Sequence, residues 1–179
     1  KIANSGKIKI KIESVPYSFD SIEEQSSVEK QKTFEFNINK EEQELAVLNL
    51  ISVDRSMFDI EQIFFFFSNC GAKVKNKYFS FIDEKGKEKF RIINALNPGT
   101  FDQDTKTFAI VIVADLSITT NPLDTVRQMV KFSVNFSDKF HATLCDQERI
   151  PITKQMISHM ESRAQDIARI KQLNNHNIP

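Results

Sequence analysis

The stretch RIINALNPGTFD, residues 91–102, decides the fold, because it joins a half-covered strand to a turn. Its alternation sets Ile92, Asn94 and Leu96 on one face and Arg91, Ile93, Ala95 and Asn97 on the other, the period of two that a strand imposes on its side chains. Asn97-Pro98-Gly99 then ends the strand. Proline presets φ for the first central position of a type II turn, and glycine supplies the positive φ of the second.

Just upstream, the turn DEKG at 83–86 links a strand at 78–82 to this one as a hairpin. Downstream, TFAIVIVADL at 107–116 reads as the next strand. Further upstream, LAVLNLISV at 45–53 is apolar almost throughout, which predicts a strand covered on both faces in the middle of the sheet. Three helices separate these strands. Ser56 with Asp59 resembles a capping box ahead of Met57, Ile60, Ile63, Phe64 and Phe67, and Gly71 suits the left-handed stop. The phenylalanines at 64–67 cannot share one helix face, so they divide between the core and a neighbouring element. Asn121-Pro122 opens a second helix bearing Val126, Met129, Val130, Val134 and Phe136. A short strand at 140–144 comes next, then Thr153 caps a last helix bearing Met156, Ile157, Met160, Ala164 and Ile167.

Several strands meet through short turns, so the expected fold class is α+β: an antiparallel sheet of about six strands with three helices on one face. The other face is then expected to be open and apolar, with Ile93 and Ala95 on it, and such a face marks a contact site. On that expectation a glutamate at Ile93 stays solvated and blocks the contact, whereas one at Leu96 enters the core and unfolds the domain. At the N-terminus, KIKIKIESV at 7–15 alternates lysine with isoleucine, and 32–39 puts Phe34, Phe36 and Ile38 on one side. The two are expected to pair as a hairpin across a polar connector at 18–31, as an extension separable from the contact site. The expected organisation is an extension or linker at 1–42, a domain at 43–173 and a frayed tail at 174–179.

Twenty-four Lys+Arg balance 24 Asp+Glu, so no global field draws the chain to nucleic acid or a membrane surface. Cys70 and Cys145, with three histidines and no CxxC, form neither a disulfide framework nor a zinc pattern, and both read as buried thiols. No apolar run approaches the roughly 20 residues of a spanning helix. GxSxG, HExxH, P-loop and dinucleotide signatures are absent, and His141 and His159 stand alone. No catalytic residue, metal, cofactor or small-molecule substrate is expected. The competing class is an RNA-binding sheet stacking bases on Tyr78, Phe79 and Phe81 beside Lys73, Lys75 and Lys77. Ile93 and Ala95 argue against it, standing where stacking aromatics are wanted.

NPGTFD at 97–102, preceded by FRIINAL at 90–96, resembles the strand and turn of the C-terminal, FtsZ-binding domain of the cell-division protein ZipA. Phe108, then Leu144, Asp146, Gln147 and Arg149 in a D-Q-x-R turn, and LAVLNL at 45–50 with Asn49 extend the resemblance. It implies a split β-α-β sheet, an adaptor rather than an enzyme, and the C-terminal tail of FtsZ as partner. It also implies a place at the cytoplasmic face of the bacterial inner membrane, reached through an N-terminal anchor absent from this chain. Carried over position by position, the peptide-binding residues implied are Leu45, Val47, Ile93, Ala95, Asn97 and Val113. Asn97 replaces a family lysine and Val113 a family phenylalanine. Val113 rather than Leu116 takes the groove position, since the alternative turns Asp115 into the core.

Overall fold

The structure is a computed structural model and describes residues 8–11, 33–36 and 43–176. Two short strands, β1 (Ile8–Lys11) and β2 (Thr33–Phe36), pair antiparallel with Ile8 opposite Phe36 and Ile10 opposite Phe34, as the alternation predicts. The rest of both N-terminal segments and the connector lie outside the described residues.

The main sheet has six strands: β3 (Leu45–Ser52), β4 (Lys73–Lys75), β5 (Tyr78–Ile82), β6 (Glu88–Asn94), β7 (Ala109–Asp115) and β8 (Ala142–Cys145). They run antiparallel in the order β4-β5-β6-β7-β3-β8. Strand β3 is therefore second from an edge rather than central, because β8 alone pairs beyond it. Its apolar run is explained all the same. Ala46, Leu48 and Leu50 face one core, and Leu45, Val47 and Ile51 face another.

The helices are α1 (Ile60–Asn69), α2 (Pro122–Phe140) and α3 (Lys154–His176). All three cover one side of the sheet, where Ile63, Phe67, Val126, Met129, Ala164 and Ile167 meet Leu48, Phe79, Phe81, Phe90, Ile92, Ile110 and Ile112. Aromatics dominate this layer. Phe67 lies 4.9 Å from Phe79 and 6.0 Å from both Phe101 and Phe136, and Phe81 stacks on Phe90 at 4.4 Å. A fully buried phenylalanine contributes about 2–3 kcal/mol from area alone, and edge-to-face pairing adds to it. Of residues 64–67, Phe67 is buried, Phe64 and Phe66 are half-buried and Phe65 is exposed, the division that their spacing requires.

Helix ends obey local chemistry. The cap of α1 is Asp59, whose Oδ1 accepts from the backbone of Glu61 and Gln62 at 3.1 and 3.2 Å. Ser56, expected in that role, instead donates its hydroxyl to Asp54 at 2.6 Å. Gly71 takes φ +96°, and the N–H groups of Gly71 and Ala72 close back on Ser68 and Phe67, the paired bonds of a Schellman stop. Asn121 and Pro122 open α2 as expected, and His141 at φ +52° ends it, which leaves Ala142 to start β8. Thr153 Oγ1 accepts from Met156 N to cap α3. That helix continues through 174–176, where the sequence predicts fraying.

A bulge in β6 decides which side chains reach which face. Phe81 pairs with Phe90 but Ile82 pairs with Glu88, so Lys89 is one residue extra. Lys89 consequently reaches Asp124 on α2, while Glu88 turns to the opposite face. Both sheet edges are blunted. At one, the exposed Lys73 and Lys75 flank Val74, and Asn76 and Lys77 turn the chain with positive φ. At the other, residues 146–152 fold back on β8, with Cys145 bridging Pro151 and Ile152 N donating to Leu144 O at 2.9 Å.

Candidate functional site

On the face opposite the helices a second apolar cluster forms from Ile93, Ala95, Phe108, Ala109, Val111 and Val113, with Leu45, Val47, Ile51 and Leu96 packed around it. Strand register arranges it in rows. Val47 stands beside Val113 and then Arg91; Asn49 beside Val111 and then Ile93; Ile51 beside Ala109, whose carbonyl accepts from Ala95 N at 3.1 Å. Neighbouring strands lie about 4.8 Å apart, so three strands give a patch about 10 Å across.

Five of the six residues that the sequence singles out therefore come together: Leu45, Val47, Ile93, Ala95 and Val113. Asn97 does not join them. It sits exposed in the turn after β6. That strand ends at Asn94, so alternation no longer governs the residues beyond it, and Leu96 packs on this second cluster rather than under the helices. The turn also differs from the expected type II. Leu96 O accepts from Gly99 N at 2.6 Å across a cis Asn97-Pro98 bond, which places proline at the second central position, and Gly99 keeps its positive φ of 81°. Val111, Ala109 and Ile51 are members that the sequence reading misses, although the alternation of β7 and β3 is the signal that points to them. Phe108 enters that reading only through the family resemblance.

No described helix lies over this face, yet its centre is buried: Ile93 is 0% exposed, Val111 and Val113 3% each. The expectation that a glutamate at Ile93 stays solvated is therefore overturned. The half-buried rim residues Leu45, Val47, Ile51 and Leu96 are the accessible ones.

Polar groups frame the patch. Glu88 accepts from Ser80 Oγ at 2.8 Å and from Arg91 Nε at 2.6 Å, and the Arg91 guanidinium lies 4.6 Å from the centre of the Tyr78 ring. Asp115, which shares the outer face with Leu45, accepts from Ser117 N and Oγ at 3.0 and 2.6 Å. Leu116 lies in the helix-side core.

The RNA reading fails on burial. Phe79 and Phe81 are 3% and 4% exposed, locked among Phe67, Phe90, Phe101 and Phe132, so neither can stack on a base. The cysteines divide: Cys70 is exposed, contrary to expectation, and Cys145 is buried, with burial and then Asp146 pushing its thiol up and away from reactivity. Among the described residues no group of His, Cys, Asp and Glu is placed to hold a metal ion, and no helix is long and apolar enough to cross a membrane.

The motifs that carry the resemblance turn out to be structural. Asn94 Nδ2 donates to Thr100 O at 3.0 Å and its Oδ1 accepts from Leu96 N, which pins the NPGTFD loop so that Phe101 enters the aromatic core. In the D-Q-x-R turn, Asp146 Oδ1 accepts from Glu148 N and Ile150 N, Arg149 takes φ +68°, and Asn49 Nδ2 donates to Asp146 O at 2.8 Å.

A patch of aliphatic side chains across three strands, framed by hydrogen-bonded polar groups, makes one face of an antiparallel α+β sheet apolar. The family of the chain is shown directly. Residues 44–163 match the family model described as ZipA, C-terminal FtsZ-binding domain, and the chain belongs to that family. It is also similar to the cell division protein ZipA of Colwellia psychrerythraea, 29% identical over 89 residues, which cover 48% of this chain and 23% of that protein. The chain thus spans less than a quarter of the length of that relative.

Proposed function

We propose that the aliphatic face formed by Leu45, Val47, Ile93, Ala95 and Val113, with Asn97 in the adjoining turn, takes the C-terminal tail of FtsZ. The domain then tethers FtsZ filaments to the cytoplasmic face of the inner membrane. The observation that carries the reading is the row structure of the second cluster: three adjacent strands each contribute small aliphatic side chains to one face with no described helix on it. A short peptide covers less area than a standard protein interface, so a single contact is weak and transient, about 8 kcal/mol if it is micromolar. Repetition along a filament supplies the rest by multivalency.

Titration calorimetry with a synthetic FtsZ C-terminal tail, and separately with an oligonucleotide, tests this. The expected result is binding of the tail and none of the oligonucleotide. Val47→Glu, at the half-buried rim, is expected to weaken the tail at least about tenfold without unfolding the domain, since a carboxylate pressed into an apolar contact loses its hydration. A folded Val47→Glu protein with unchanged tail affinity would remove this face from the reading.

A further inference from the structure

We propose that in the free chain the β1–β2 ribbon is seated on this same face, over Ile93, Val111 and Val113, so that an incoming peptide must displace it. The binding arm of the argument rests on the reading above; the seating itself does not. Three observations lead to it. First, Ile93 is 0% exposed, and Ser80, on the same face of the neighbouring strand β5, is also 0% exposed. Outer side chains of a sheet without a covering layer keep part of their surface in water, and no described helix supplies that layer. Second, the amide nitrogen and oxygen of Gln43, two residues before the rim residue Leu45, are buried without a hydrogen-bond partner, so the chain is already under cover as it enters the sheet.

Third, the ribbon needs a surface and this one is within reach. Its register sets Ile8 opposite Phe36 and Ile10 opposite Phe34, and the sequence alternates these apolar residues with Lys9, Lys11 and Glu35, the pattern of a ribbon with one apolar side. A two-stranded ribbon alone is marginal in water and is stabilised by packing its apolar side. Residues 37–44 separate β2 from β3, and a link of that length spans at most about 30 Å. From β3 to β6 is only about 10 Å. So short a tether holds the ribbon at an effective concentration in the millimolar range, enough to seat a weak contact and still release it to a competing peptide.

The test uses the full chain. Methyl NMR spectra are compared between the unaltered protein and the double variant Ile10→Glu/Phe34→Glu, each then titrated with the FtsZ tail peptide. The expected result is that the methyls of Ile93, Val111 and Val113 shift while those of Ile63, Ile112 and Val126 under the helices stay. If the ribbon occupies the face nine-tenths of the time, tail affinity rises about tenfold in the variant. Unmoved methyls on the second face would overturn the proposal whatever the peptide does. Shifted methyls with no peptide binding to either protein would uphold the seating and refute the FtsZ reading. Should the variant lose its helix-side signals as well, a benzophenone analogue at Phe34 in the otherwise unaltered chain decides: crosslinks to 45–51, 91–95 or 109–113 uphold the seating, and crosslinks elsewhere or none overturn it.

Discussion

The two faces of the sheet are built from the same strands but in different materials. Under the helices, Phe67, Phe79, Phe81, Phe90, Phe101, Phe132 and Phe136 interlock in edge and stacked pairs. On the other face the sheet offers isoleucine, valine, alanine and leucine, with Phe108 as the one ring in the cluster among the described residues. Interlocking rings have few alternative packings and so specify one arrangement of helices on the sheet. Short aliphatic side chains leave the strands close to the surface, where an extended or helical peptide can lie along them. The aromatic face makes the fold unique, and the aliphatic face is the one proposed to accept a partner.

The strongest challenge to this division of labour is Ile92→Glu. Ile92 is fully buried in the aromatic layer, and an unpaired carboxylate there is expected to unfold the domain, with loss of the cooperative thermal transition by circular dichroism. A folded Ile92→Glu protein would show that the helix layer is loosely held. Next come two truncations to be measured by denaturant unfolding. Phe67→Ala, among five rings, is expected to cost about 3–5 kcal/mol, whereas Ile93→Val, at the centre of the second face, is expected to cost about 1 kcal/mol. A Phe67→Ala cost no larger than that of Ile93→Val would blunt the contrast.

The smallest effect lies where the helix layer is tied to the sheet. The Thr120 hydroxyl, just before α2, donates to Asp83 Oδ2 at 2.8 Å, while Oδ1 accepts from Lys85 N and Lys87 N. The hydroxyl bond first, then the backbone bonds, hold the Asp83 carboxyl below its ordinary 3.8. A carboxylate depressed on folding stabilises the native state above its unfolded pKa, and that contribution fades as pH falls through the folded value. Thr120→Val is therefore expected to raise the Asp83 pKa toward 3.8, as read by carboxyl NMR titration, and to change stability only in that acid window. An unmoved Asp83 titration would mean that this tie contributes nothing.

Much of this is legible in the sequence because period two survives wherever a strand is regular. Leu45 and Val47, Ile93 and Ala95, and Val113 fall together on parity, although parity cannot say that Ile93 is fully covered. Legibility ends where the backbone departs from regularity. Alternation assigns Leu96 to the wrong face because β6 stops at Asn94, and it misses the turn type because the closing hydrogen bond reaches Leu96 rather than Asn97. Ser56 and Asp59 both fit the local pattern of a cap, and only the course of the chain into α1 separates them. The place of β3 in the sheet depends on where β8 docks, a contact between residues about a hundred apart that no local pattern encodes.

The blunted edges carry a consequence for crowding. The proposed tether, working by numbers, would gather many copies of this domain side by side, a setting in which any bare strand invites its neighbour to continue the sheet. Here the lysines of β4 refuse such an addition at one end, and the fold-back through Pro151 pairs with the end of β8 at the other. Copies held close together are then expected to remain separate folds.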